Sequence, residues 1–199
     1  MARTRARDFE EKQLGILDVA AAVLAQQGME KASMSQIAAH AGVSKGLLYH
    51  YYPSKSELIF AIVKTHLEEL DRATAQADEP DLPASQRLRR LIGAVLENYR
   101  GADDKHKVQL NAALALSEDQ KAALTSLERR IVRRFSILLD EINPGLNKPE
   151  RPLSMPVAMS LFGMLNWMYM WFRDGGRITR KDYADIVTTL VLEGVRAVR

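Results

Sequence analysis

Between Ser33 and Lys55 the chain reads Ser-Met-Ser-Gln-Ile-Ala-Ala-His-Ala-Gly-Val-Ser-Lys-Gly-Leu-Leu-Tyr-His-Tyr-Tyr-Pro-Ser-Lys. Its hydroxyls, amines and rings are spaced for contact with a polyanion rather than for covalent chemistry. Ser33 and Ser44 stand where a side-chain oxygen can accept from the unpaired N–H groups of a helix start. Between them Ala41-Gly42-Val43 forms a three-residue turn in which Gly42 can take a positive φ. Ala38 and Ala41 are small enough to let two helices cross closely, and Ile37, Val43 and Leu48 can close a core between them. With those positions inward, Ser44, Lys45, Gly46, Leu47, Tyr49, His50 and Tyr51 fall on or beside the outer surface of the second helix. Such a short, cationic, aromatic helix suits the ~12 Å wide major groove of DNA, with its N-terminal end nearest the base edges. The plainer alternative is that the tyrosines pad a solvated helix.

The elements that position this stretch are helical. No sustained two-residue alternation is present, and five capping signals pair a cap with an acid or amide three positions on: Asp8…Glu11, Ser33…Gln36, Ser54…Glu57, Ser117…Gln120 and Thr179…Asp182. The spacing predicts an all-α protein of about nine helices: a first from Phe9 to Gln27 stopped by Gly28, short ones near 34–40 and 44–51, then 54–77, 84–99, 104–114, 118–142, 154–173 and 179–198. Asp78–Ser85 and Asn143–Pro152 read as loops. The expected division is a three-helix DNA-binding domain over residues 1–53 and a larger helical body over 54–199.

The run Gly42-Val43-Ser44-Lys45-Gly46-x-Leu48-Tyr49, with Ile16, Ala20, Gly28, Ser33, Ile37-Ala38, Tyr52, Pro53, Ser54, Lys55 and Leu58 around it, resembles the TetR family of bacterial transcriptional regulators over residues 12–60. Leu24 stands where an aromatic is common in the family and Tyr52 where phenylalanine is. The resemblance implies a twofold dimer reading a near-palindromic operator. It assigns Lys45, Gly46, Leu47, Tyr49, His50 and Tyr51 to the recognition surface and Ser33, Ser35 and Lys55 to phosphates. Lys55 also falls on the first turn of a helix, where backbone N–H groups favour anions. Arg3, Arg5 and Arg7 form a basic arm that either tracks a neighbouring groove or is simply solvated.

In the larger part, Leu153–Phe172 carries no charge and holds five of the eight methionines and both tryptophans. Ser154, Pro156, Ser160, Gly163 and Asn166 argue against a membrane span. A helix apolar on every side must be covered on every side, so one flank is expected on its own core and the other on a second subunit. The last helix repeats apolar residues at helical spacing, and the expected dimer seam takes in Met159, Tyr183, Leu190, Gly194 and Val198. An apolar effector is expected against Tyr99, Phe135, Met164, Trp167, Met168 and Trp171. The segment Leu161–Arg173 resembles family members that answer to acyl-CoA or aryl-acyl-CoA thioesters. His66, Asn98, Tyr99, Arg100, His106, Gln109 and Asn111 are candidate polar partners for the effector, and Lys105, His106, Lys107, Arg129, Arg130, Arg133 and Arg134 are candidate partners for the thioester's phosphates or ordinary charged faces.

Net charge is only +3, so local placement of the cations, not bulk charge, carries the DNA reading. Without cysteine there is no thiolate chemistry. No nucleophile elbow, phosphate loop or dinucleotide fingerprint is present, and the four histidines lack metal-ligand spacing. The expectation is therefore a non-enzymatic, cytoplasmic, homodimeric repressor with no cofactor, bound to double-stranded DNA and released by an apolar effector. The rivals are a regulator of drug efflux that senses lipophilic compounds and, from another class, a helical acyl-CoA-binding protein with no DNA role.

Overall fold

A computed structural model describes residues 2–198, with side chains from Lys12 onward. Its nine α-helices among the described residues are α1 (Ala2–Gln27), α2 (Met34–His40), α3 (Lys45–Tyr51), α4 (Lys55–Ala77), α5 (Ala84–Asn98), α6 (Asp103–Asn111), α7 (Glu118–Ile142), α8 (Ser154–Asn166) and α9 (Arg180–Ala197). Packing groups them into two compact units: residues up to Leu67 with Gly101–Thr125, and Glu68–Arg100 with Ser126 onward. Both α4 and α7 are single helices that run on past the unit boundary.

Three helix starts follow the capping rule closely. Ser33 Oγ accepts from Gln36 N at 3.2 Å while Ser33 N donates to Gln36 Oε1 at 2.9 Å. Thr179 and Asp182 do the same at α9, and Ser117 and Gln120 at α7. The first helix departs from expectation. It starts at Ala2 rather than after Asp8, since Ala and Arg are strong helix formers and nothing in the preceding residues breaks the run. The side chains of Arg3, Arg5, Arg7, Asp8 and Glu11 lie outside the described residues.

In the first unit, Ile16, Ala20, Val23 and Leu24 of α1 are buried with Ile37 and Ala38 of α2 and Leu48 of α3. Gly28 and Gly42 take φ of 87° and 64° and end α1 and α2, a conformation that costs a side-chain-bearing residue energy. Both departures from the family pattern pack. Leu24 is 1% exposed and Tyr52 5%, with the extra Tyr52 hydroxyl donating to Gln13 O at 3.4 Å. Burial pushes the Tyr52 phenol up to about 12, so it stays a neutral core residue.

In the second unit, the α5 face of Leu88, Leu91, Ile92 and Val95 is fully buried, and Arg89 of α5 pairs with Asp185 of α9. Phe135 of α7 meets Phe162 of α8 edge-on at 4.9 Å. Arg180, only 8% exposed, donates to both oxygens of Asp174 and to Leu96 O, and covers the Phe172 ring at 5.1 Å. The Arg180 bonds hold the Asp174 carboxyl below the usual carboxylate range.

Three segments depart from the predicted outline. The expected helix 154–173 ends at Asn166, and Trp167–Met170 tightens into a 3₁₀ turn, as clustered aromatic side chains lose rotamer freedom in an α-helix. α6 likewise ends at Asn111 and passes into a 3₁₀ turn over Ala112–Ala115. The expected loop 143–152 contains a minimal antiparallel pair, β1 (Asn147–Lys148) and β2 (Arg151–Pro152), around Pro149-Glu150, where proline presets the turn φ.

Candidate nucleic-acid interface

α3 has two unlike sides. Leu48 is 0% exposed and faces the α1–α2 core, whereas Lys45, Gly46, Tyr49 and His50 are exposed and Leu47 and Tyr51 half-buried. Ser44 caps the helix by accepting from Leu47 N at 3.1 Å. Truncating a fully buried leucine such as Leu48 costs about 2–5 kcal/mol, so the inward side fixes how the outward side is presented. On that outward side the Lys45 ammonium lies 5.7 Å from the Tyr49 ring centroid, and His50 meets Tyr51 edge-on at 5.8 Å.

Gly46 is the informative position. Its φ is not positive, and a Cβ built there meets nothing within 4 Å. Among the described residues nothing calls for glycine here, and alanine would favour the helix by ~1 kcal/mol. The missing side chain leaves the backbone open on the outward side of α3. A backbone that can be approached closely, flanked by an amine and two ring donors, can pair with phosphate oxygens or base edges.

At the first turn of α2, Ser35 is exposed and free to turn outward, while the Ser33 proton goes to Gln36 Oε1 at 2.8 Å. Ser33 thus keeps acceptor capacity but its donor is occupied. Lys55 is held differently from a waiting phosphate ligand: its ammonium reaches Met29 O at 2.6 Å, Ala32 O at 3.0 Å and Glu30 O at 3.2 Å. Three N–H donors meet three carbonyls of the α1–α2 turn. The first residue of α4 therefore ties down the loop that presents α2, which the sequence pattern did not reveal.

The six residues expected around an effector differ in exposure. Tyr99, Phe135 and Met168 are buried and Met164 half-buried, but Trp167 is 60% and Trp171 45% exposed. Tyr99 donates to Asn166 Oδ1 at 2.8 Å, and burial raises its phenol well above the ordinary value. Trp171 meets Tyr183 edge-on at 5.0 Å, and the Tyr183 hydroxyl donates to Met164 O. Among the cations expected for a thioester head, Lys105 pairs with Asp18, Lys107 with Asp104, and Arg130 and Arg134 with Asp71.

The residues expected at a dimer seam lie on exposed stripes. Met159 is 54% and Leu190 59% exposed, Gly194 is open, and Tyr183 and Val198 are half-buried. Met155, Met170 and Ile186 are likewise exposed. Trp167 and Trp171 belong with this surface by exposure rather than with the buried set.

Two further features lie in the first unit. His66 of α4 and His106 of α6 are buried with ring centroids 6.1 Å apart, and burial, with help from His106 and Lys105, pulls the His66 imidazole down to about 3. A cleft of about 620 Å³ lies between the end of α1, the 28–31 turn and α6, but its Lys55 and Lys107 are engaged as described. Among the described residues no cluster of three or more His, Asp or Glu could hold a metal ion, and no helix is long and apolar enough to cross a membrane.

Comparison with known proteins bears on this geometry. A family model described as bacterial regulatory proteins, tetR family, matches residues 16–62, and one described as tetracyclin repressor-like, C-terminal domain, matches residues 81–195. The transcriptional repressor KstR2 of Mycobacterium tuberculosis is 25% identical over 189 residues, covering 90% of each chain. The crystal structure of a TetR-family regulator from Bordetella parapertussis 12822 is similar with a TM-score of 0.83 at 29% identity, covering 91% of this chain and 94% of that one. AibR, solved in complex with isovaleryl coenzyme A and operator DNA, is similar with a TM-score of 0.77 at 25% identity, covering 90% and 97%.

Proposed function

Since this chain belongs to the TetR family and is a DNA-binding transcriptional regulator, we propose that it is a homodimeric repressor whose α3 surface reads a near-palindromic operator and which a small apolar effector releases. The observation that carries this reading is α3 itself: an unneeded glycine beside Lys45, Tyr49 and His50, backed by a buried Leu48. Residues 1–53 act as the DNA head and 54–199 as the sensing and dimerising body. Lys45, Gly46, Leu47, Tyr49, His50 and Tyr51 face the groove. Ser35 and the remaining acceptor of Ser33 lie toward the backbone, and Lys55 positions the loop that carries them.

The exposed stripes of α8 and α9 pair with their twofold copies, and Trp167 and Trp171 join that seam. Two heads held in this way must stand about one helical turn of DNA, ~34 Å, or a multiple apart. The effector chamber is built around Tyr99, Phe135, Met164 and Met168. The AibR complex supports an acyl-CoA thioester as the effector class. An effector that favours a mis-spaced state releases DNA by as much as its affinities for the two states differ. Such a protein works where the DNA is, in the bacterial cytoplasm.

The test is selection of a duplex from a random-sequence pool, followed by titration with isovaleryl-CoA, longer acyl-CoA esters and the matching free acids. The reading expects a selected palindrome, and release at micromolar thioester with much less effect from the acids. Release by lipophilic cations and by no thioester would replace the effector class with a drug-type one and leave the DNA role standing.

A further inference from the structure

The first turn of α4 begins directly after the recognition helix, and its second and third residues are bonded to α7. Ser56 Oγ donates to Gln120 Oε1 at 2.9 Å, and Gln120 Nε2 donates to Glu57 Oε1 at 2.9 Å. The same Gln120 oxygen takes the Ser117 N–H at 3.0 Å, and Gln120 N donates to Ser117 Oγ. Gln120 is only 9% exposed, so its amide sits where hydrogen bonds are poorly replaced by water. On its other side the neighbouring residue, Lys55, holds the α1–α2 turn through three carbonyls. Three successive residues, Lys55, Ser56 and Glu57, therefore tie the DNA head's loop to one side of α4's start and the N-terminus of α7 to the other.

A helix cap needs only the Ser117–Gln120 exchange. The reach of the Gln120 amide to both Ser56 and Glu57 adds two bonds between elements that lie more than sixty residues apart in sequence. A glutamine suits this arrangement because one planar group must accept on one atom and donate on the other. A carboxylate at 120 would face the Glu57 carboxylate, and an apolar side chain would leave both partners unmet.

We propose that Gln120 is a positioning residue for DNA binding: its amide locks the start of α7 to the start of α4, and the lock sets how α3 is presented. This rests on the reading of α3 as the DNA surface. Because α7 and α4 both continue into the second unit, a displacement of either helix reaches the other's first turn through this amide.

The test uses the full chain and four proteins: wild type, Gln120→Leu, Gln120→Glu and the exchange Glu57→Gln/Gln120→Glu. The exchange keeps the net charge of the wild type and restores all three bonds, with the amide now at position 57 donating to the carboxylate now at position 120. Two readouts are taken: amide hydrogen exchange in the first turn of α4, and affinity for the duplex that wild type selects from a random pool. Leucine at 120 loses all three bonds of the amide, and glutamate replaces the bond to Glu57 with two facing carboxylates, so exchange should be faster and affinity weaker by roughly tenfold in both single variants, with the doubly substituted protein returning within about twofold of wild type. A role confined to capping α7 would leave Gln120→Glu like wild type, since its carboxylate still accepts from Ser117 N. A pure charge effect would leave Gln120→Leu like wild type. Either result overturns the proposal, as does a doubly substituted protein as poor as Gln120→Glu, or faster exchange with unchanged affinity. If wild type selects no duplex, the DNA reading fails, and hydrogen exchange alone decides whether Gln120 locks the two helix starts.

Discussion

The Lys45 ammonium stands 5.7 Å from the ring centroid of Tyr49, one turn along α3. At an exposed site such a pair is worth only about 0.5–1 kcal/mol, so it orders the surface without holding the fold. Gly46 lies beside it with open space where a Cβ would be. Gly46→Ala should therefore separate stability from function. The denaturation midpoint should rise, by up to ~1 kcal/mol of helix preference, while affinity for the selected duplex falls at least tenfold. A variant more stable and equally tight on DNA would show that nothing approaches α3 at this point.

Lys55→Ala is expected to act on the fold first. Three charge-assisted bonds to the 29–32 carbonyls disappear, and the loss should be on the order of 1–3 kcal/mol. Urea denaturation followed by circular dichroism reads it directly. An unchanged midpoint accompanied by a shallower salt dependence of DNA binding would return Lys55 to the phosphate role that its sequence position suggests.

Acid should weaken the first unit through His66. Its imidazole has a folded value near 3 against an ordinary 6.5, so the unfolded chain takes up the proton first. The contribution is complete above about pH 6.5 and is lost as pH falls from there toward 3, on the order of 1 kcal/mol per pH unit. Denaturation midpoints between pH 7.5 and 5 should decline for wild type and decline less for His66→Leu. Parallel curves would place the acid sensitivity elsewhere.

Leu190→Glu puts a carboxylate on the α9 stripe, where leucine is 59% exposed. The separate chain has nothing to lose by it, so the far-ultraviolet spectrum and the monomer's melting should stay close to wild type. Sedimentation should show a monomer in place of a dimer, and operator affinity should collapse because a single head makes too few contacts. A dimer of undiminished affinity would move the seam away from α9.

What the sequence disclosed, and what it hid, follows the range of each interaction. Ser33–Gln36, Ser117–Gln120 and Thr179–Asp182 were legible because a cap and its partner are three residues apart, and the turn at Gly42 because only one residue type suits it. Asp8 misled because a capping pattern competes with the helix preference of what precedes it. Trp167 and Trp171 were grouped with Phe135 because composition says that a residue is apolar but not which flank of the helix it occupies. The bonds of Lys55 to the α1–α2 turn and of Gln120 to Ser56 and Glu57 join residues 23 to 64 positions apart, and no local spacing rule reaches that far.

The central claim is that the outward surface of α3 binds DNA, and a salt titration tests it most directly. Affinity for the selected duplex is measured by fluorescence anisotropy from low to moderate salt for wild type, Lys45→Ala and Tyr49→Ala. All three should have the same secondary structure and oligomeric state. The account predicts that Tyr49→Ala weakens binding with little change in the salt slope, and that Lys45→Ala weakens it and lowers the slope by roughly two units per bound dimer, as expected when one ammonium in each head neutralises one phosphate. Wild-type affinity in both Lys45→Ala and Tyr49→Ala, with the slope of Lys45→Ala also unchanged, would contradict it.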